Sequence, residues 1–133
     1  MSIKSSKTLV DEALKEIKTL ALDEVKELID KKTCTLIDLR DIRELYNEGG
    51  IEGALHIPRG MLEFWVDEES PYYQKGRFST DKQIVLFCAL GARSALATKS
   101  LQDMGFKNVA QVKGGYRAMA ASGNFQLIKI KKE

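Results

Sequence analysis

The run IVLFCALGARSALATKSLQDMGF, residues 84–106, changes character at its fifth residue. Ile84, Val85, Leu86 and Phe87 form an unbroken apolar stretch, the pattern of a strand buried on both faces. From Ala92 onward, Ala97, Leu101 and Met104 fall on one side of a helix. Cys88 to Gly91 lie between the two, so the segment reads as strand, tight loop, helix. A chain that repeats this alternation builds a small parallel sheet flanked by helices on both faces, an α/β fold. Ligands of such folds sit beyond the carboxyl ends of strands, where the next helix begins. Cys88 occupies that place.

The alternation does repeat. Upstream, CTLIDL (34–39) reads as a strand stopping at Arg40, and DIRELYNEGG (41–50) as a helix closed by its glycines. ALHI (54–57) is a short strand halted by Pro58, and MLEFWV (61–66) packs bulky groups into a turn or two of helix. Residues 67–81 read as a surface loop. Downstream, NVAQV (108–112) is a last core strand, GGYRAMAASG (114–123) a short helix, and FQLIKIKK (125–132) a tail with strand character. At the start, Val10, Leu14 and Ile17 recur at helical spacing from Lys7 to Leu20, which predicts an accessory amphipathic helix. A second helix runs from Leu22 to Lys31, with Asp23 and Glu24 early and lysines late, as the helix dipole prefers.

Composition sets the class. The chain has 133 residues, 44% hydrophobic and 30% charged, enough for one domain with a core of its own. Its 21 basic and 19 acidic residues nearly cancel, so no general attraction to nucleic acid or membrane is expected. The two cysteines make no disulfide framework, and no Cys/His cluster has metal spacing; a reduced, cytoplasmic setting is the expectation. Acids and lysines interrupt the first twenty residues where a signal peptide needs an apolar segment, and no run approaches membrane-spanning length.

Cys34 opens a strand with no glycine near it and reads as a small buried hydrophobe. Cys88 can be read that way too, but its downstream neighbours set it apart. Ala89, Leu90, Gly91, Ala92, Arg93 and Ser94 lead straight into a helix, and such a loop can curl its N–H groups around the sulfur. Converging amides at a helix N-terminus favour negative charge, whether thiolate or bound anion. Arg93 adds a guanidinium fork for an anion or for a carboxylate such as Asp38. Arg40 and Glu44, four apart at a helix start, are expected to form an ion pair. His56, the sole histidine, lies between a strand and Pro58 and reads as structural.

Taken together, LIDLRDIREL, GGIEGALHIPRG, CALGARS and GFKNVAQVKGGYRAM resemble the rhodanese domain in order and spacing over about residues 20–123. That leaves residues 1–19 as an N-terminal accessory helix and 124–133 as a C-terminal tail. The resemblance implies a domain whose loop cysteine accepts a sulfane sulfur as a persulfide and passes it on. Residue by residue it assigns the persulfide to Cys88 and the substrate-binding loop to Ala89, Leu90, Gly91, Ala92, Arg93 and Ser94. It gives supporting places to Asp38, Arg40 and Glu44, and matches the family's double glycine to Gly114 and Gly115. Arg59 and Trp65 are candidates for a pocket rim, with core packing the plainer reading for Trp65. The chain departs from the family at Gly49–Ala54, where many members carry a histidine, and at Tyr116, where many carry tryptophan.

The implied reaction is sulfur transfer from a small donor such as thiosulfate to a thiol or cyanide acceptor, with a protein sulfur acceptor as a further partner class. It needs no metal and no organic cofactor. Two rivals stand beside it: a non-catalytic binding module on the same fold, and a phosphatase or arsenate reductase of the related fold. The second closes its cysteine loop around a tetrahedral oxyanion, for which the four residues between Cys88 and Arg93 are one too few.

Overall fold

The computed structural model describes residues 2–77 and 81–132. Its elements run α1 (Ser6–Glu16), β1 (Lys18–Leu20), α2 (Leu22–Asp30), β2 (Cys34–Asp38), α3 (Ile42–Glu48), β3 (Gly50–Ile51) and β4 (Leu55–His56). After one 3-10 turn come α4 (Leu62–Val66), β5 (Gln83–Phe87), α5 (Ala92–Met104), β6 (Val109–Val112), α6 (Gly115–Ser122) and β7 (Leu127–Ile128). Five strands form one sheet in the order β1-β6-β5-β2-β4, every pairing parallel. β3 and β7 pair antiparallel as a separate clip, Gly50 opposite Ile128.

β5 is the middle strand and shows why the apolar run is continuous. Val85 and Phe87 point into one core, with Leu36, Ala110 and Val112 from the neighbouring strands and Val25 and Met119 from α2 and α6. Ile84 and Leu86 point into the other, with Ile37, Val109, Leu62 of α4 and Ala97 and Leu101 of α5. Successive side chains of a strand leave on opposite faces, so a strand covered on both sides has no polar position to spare. This is the expected α/β architecture, a parallel sheet between two helical layers.

Three local expectations are corrected. The first helix stops at Glu16: Ile17 is already extended, and Lys18–Leu20 pairs with Ala110–Val112 as an edge strand of the sheet. The helical spacing carried through Leu20 because a three-residue strand is too short to impose its own period. Met104 is 42% exposed, not on the buried face with Ala97 and Leu101; Phe106, beyond the Gly105 cap, packs against that core instead. Glycines 49 and 50 do end α3, but Gly50 also begins β3, whose partner in the tail lies far along the chain. Of the stretch read as a surface loop, residues 78–80 lie outside the described residues. No helix among the described residues is long and apolar enough to cross a membrane.

Candidate active site

Cys88 directly follows β5 and is almost wholly buried, 1% exposed. The chain then turns through Ala89 and Leu90 to Gly91, which caps α5 with φ +128°, a conformation that a residue with a Cβ rarely adopts. This turn brings the first amides of α5 back over the sulfur. Gly91 N–H donates to Cys88 Sγ at 3.1 Å and Ser94 N–H at 3.4 Å, while the Cys88 thiol donates to Ser94 Oγ at 3.5 Å. Burial pushes the Cys88 thiol up, but the hydrogen bonds from Ser94, Gly91 and Leu90 outweigh it and leave the pKa below the ordinary thiol value. Cys34, at the opposite end of the sheet, is raised by its burial, with Lys82 opposing.

Beneath the loop sits α6. Tyr116 N–H donates to the Cys88 carbonyl at 2.7 Å and Arg117 N–H to the Ala89 carbonyl at 3.1 Å. The two backbones meet so closely that a Cβ on Gly115 would stand 2.5 Å from the Cys88 oxygen, and its φ is +61°. Gly115 is therefore required by contact as well as by conformation, which is the structural content of the double glycine.

Ser94 is itself held. Its hydroxyl donates to Gln111 Oε1 at 2.6 Å, and Gln111 Nε2 donates to Thr19 Oγ1 at 3.1 Å, so a buried polar chain links the sulfur through α5 and β6 to β1. Sequence reading passed over Gln111 and Thr19. The signal was present: a glutamine inside VAQV, a strand buried at all four positions, has to satisfy its amide somewhere.

The charged residues pair differently from expectation. Arg40 does not reach Glu44; its guanidinium lies against Asp38 at 2.7–3.2 Å, donates to the Gly49 carbonyl at 2.8 Å and stacks 3.8 Å from the centre of the Tyr116 ring. Arg40 is 0% exposed and Asp38 2%, so this pair is part of the core. Arg93 does not brace through Asp38. Its partner is Glu44, with nitrogen–oxygen distances of 2.6 and 3.1 Å. Hydrogen bonding to Arg93 holds the Glu44 carboxyl below its usual range despite partial burial, and the same bond raises Arg93. The exchange follows from Asp41, which caps α3 and with Glu44 closes a capping box, fixing the Glu44 side chain at the start of that helix.

Arg59 is not brought to the loop. It is bound by Glu63 at 2.9 Å, and that carboxylate also accepts from Ser100, eight residues or roughly 12 Å along α5 from its start. Trp65 packs against the core, with Arg77 over its ring at 5.4 Å. His56 Nε2 lies 2.7 Å from the Arg40 carbonyl, in line with a structural role. Among the described residues there is no group of three metal-ligating side chains. What the arrangement can do is hold a sulfur anion: two backbone amides at a helix N-terminus converge on one nucleophilic atom.

The sequence matches the description "Rhodanese-like domain" over residues 21–122. Among curated proteins it is 29% identical over 102 residues to the putative sulfur carrier protein YrkF of Bacillus subtilis, covering 76% of this chain and 50% of that one. The chain thus spans half the length of that relative, and about 30% of the tRNA uridine(34) hydroxylases it also matches. A solved structure from Rhodopseudomonas palustris, described as a protein of unknown function and possible tyrosine phosphatase, superposes with a TM-score of 0.85 at 40% identity, over 92% of this chain and 95% of that one. The polysulfide-sulfur transferase homodimer of Wolinella succinogenes superposes with a TM-score of 0.72 at 28% identity, over 93% and 87%.

Proposed function

The chain belongs to the rhodanese-like domain family, and on that premise we propose that it is a sulfurtransferase working through a Cys88 persulfide. The observation that carries the reading is the convergence of the Gly91 and Ser94 backbone N–H groups on Cys88 Sγ. A buried thiol without such donors would be an inert hydrophobe. With them, the thiolate forms more readily and the anionic outer sulfur of a persulfide meets donors already in place.

The reaction is ping-pong. With thiosulfate as donor, the Cys88 thiolate attacks the sulfane sulfur, a new Sγ–S bond forms, and the donor's S–S bond breaks with its electron pair leaving on sulfite. The enzyme then carries Cys88–S–S⁻. A thiolate or cyanide attacks the outer sulfur, giving a new persulfide or thiocyanate and returning the Cys88 thiolate. A protein thiol can stand in the acceptor's place, and the setting is a reducing cytoplasm. No step calls for a metal or an organic cofactor.

Incubation with thiosulfate or methanethiosulfonate, then intact mass measurement, tests the reading. A gain of one sulfur atom, mapped to the Cys88 peptide and absent in Cys88→Ser but present in Cys34→Ser, is the expected result. No sulfur uptake from any donor would favour a binding module, and location on Cys34 would overturn the assignment.

A phosphatase reading is disfavoured by two features. Four residues separate Cys88 from Arg93, a tight ring for a group with three peripheral oxygens, and the Arg93 fork is occupied by Glu44. Aryl phosphates are expected to be hydrolysed at background rates. Cys88-dependent hydrolysis would reverse this preference.

A further inference from the structure

The Ser94 hydroxyl has one proton and three acceptor atoms within reach. Gln111 Oε1 stands at 2.6 Å, the Gly91 carbonyl oxygen at 3.3 Å and Cys88 Sγ at 3.5 Å. In the thiol form the bonds run one way. The Cys88 thiol donates to Ser94 Oγ, Ser94 donates to Gln111 Oε1, and Gln111 Nε2 donates to Thr19 Oγ1. Ser94 is 0% exposed and Gln111 3%, so bulk water does not replace a partner that turns away.

Loss of the thiol proton breaks this order at its first link. A thiolate, or the Sγ of a persulfide, has no proton to give and can only accept. The Ser94 hydroxyl is then needed as a donor to sulfur, which takes its proton away from Gln111. Ser94 Oγ and Gln111 Oε1 would be left facing each other at 2.6 Å with no hydrogen between them, and a buried acceptor without a donor is costly. The chain itself offers the remedy. Turning the Gln111 amide by about 180° about its last torsion exchanges oxygen and nitrogen in nearly the same volume. Nε2 then donates to Ser94 Oγ, and Oε1 accepts from the Thr19 hydroxyl. Thr19 stands opposite Gln111 in the β1–β6 pairing and is exposed, so its hydroxyl is free to turn. All three hydrogen bonds survive with their directions reversed. Each hydroxyl keeps its own proton, and only the thiol proton leaves, to solvent.

The charged groups around the sulfur stand apart from this chain. Arg93 of α5 is coupled to Cys88 by charge and a side-chain hydrogen bond and is held by Glu44 of α3. Asp38 and Arg40 pair with each other where β2 ends, and α6 presents the Tyr116 and Arg117 amides to the loop carbonyls. Among the described residues, no charged side chain hydrogen-bonds to Ser94 Oγ or to the Gln111 amide.

Resting on the sulfurtransferase reading above, we propose that Gln111 is a positioning residue of sulfur transfer, its side-chain amide turning over when Cys88 leaves the thiol form and staying reversed through the persulfide. Ser94 thereby accepts from a thiol and donates to an anion, and in neither state does acceptor face acceptor. Only a side chain that both donates and accepts serves both states. Leucine does neither, and a glutamate carboxylate only accepts.

The test follows iodoacetamide alkylation of Cys88 across pH in the full chain, with Cys34→Ser as background, for Gln111 and for Gln111→Leu. In the variant the hydroxyl of the thiol form still has the Gly91 carbonyl, whereas the thiolate form loses the donor behind Ser94. Alkylation on the acid limb should slow by roughly threefold to tenfold, the worth of one hydrogen bond, with the plateau at high pH kept. A Gln111 that never turns predicts the opposite, because leucine would release the hydroxyl to the sulfur. A quickened or unchanged acid limb overturns the proposal. A second measurement leaves position 111 intact: the Gln111 amide protons should show an NOE to the Thr19 methyl below the Cys88 midpoint and to the Ser94 β protons above it. An NOE that stays with Thr19 throughout overturns the proposal and leaves sulfur transfer standing. Neither measurement uses a sulfur donor, so failure of every donor to form a Cys88 persulfide is a separate result, which removes the reading on which the proposal rests.

Discussion

The thiol and the hydroxyl beside it form the smallest unit whose behaviour can be measured. Because hydrogen bonds hold the Cys88 pKa below the ordinary value against the pull of burial, the rate of sulfur uptake should climb with pH and level off at a lower pH than free cysteine does. Ser94→Ala removes one of those bonds, and its pH profile should shift to higher pH; alkylation by iodoacetamide across pH reads both. Gln111→Leu, which touches no sulfur, should shift the profile in some measure only if Ser94 orientation depends on it. A second residue-scale expectation concerns Arg40. Removing one partner of a buried ion pair strands the other charge, so Arg40→Ala should cost roughly 3–5 kcal/mol in urea unfolding. Arg93→Lys should cost under about 1 kcal/mol, since Arg93 and Glu44 are both partly exposed. These residues also mark what the sequence could tell. The place of Cys88 was legible because strand, glycine and helix are local signals. The pairing of Asp38, Arg40, Glu44 and Arg93 was not, because two arginines and two acids can be matched in several ways, and tertiary placement decides among them.

Among the elements, α6 bears most directly on the loop. Gly115→Ala places a Cβ against the Cys88 and Ala89 carbonyls at 2.5 and 2.8 Å in a left-handed conformation, and neither backbone can yield without moving the loop. The expected outcome is a loss of about 2–3 kcal/mol in stability, together with a fall in sulfur uptake larger than the unfolded fraction explains. Gly123→Ala, with open space around its Cβ, supplies the control for left-handed strain alone; equal effects from the two would argue against the contact. Element type and order were legible for every long strand and helix, because both periods are strong there. Of the short pieces, β4 and the strand character of the tail were legible, while β1 and β3 were not. β1 and β3 each span three residues or fewer, and what makes them strands is a partner far along the chain rather than any pattern of their own.

At the scale of the whole molecule, the two ends of the chain are tied to its middle. Lys18–Leu20 joins the sheet beside Ala110–Val112, and Leu127–Ile128 pairs with Gly50–Ile51. Phe125 and Ile51 both lie in the core that includes Val85 and Phe87. Phe125→Ala should therefore behave as a core mutation despite its place in the tail, costing roughly 3 kcal/mol in urea unfolding; a cost near zero would mean that the tail merely lies on the surface.

The seat of Cys88 on α6 also has a bearing on how the chain is made. The cysteine leaves the ribosome well before Gly115, Tyr116 and Arg117, whose backbones close beneath it. β1 waits longer, from Leu20 until Val112 has emerged, an interval of roughly 5–20 s at ordinary synthesis rates. Throughout that time the nascent chain has neither its edge strand nor the Thr19–Gln111–Ser94 relay. Cys88 itself is present only for the last part of that interval, the roughly 1–5 s in which residues 89–112 are added, and its seat is complete only once α6 has followed.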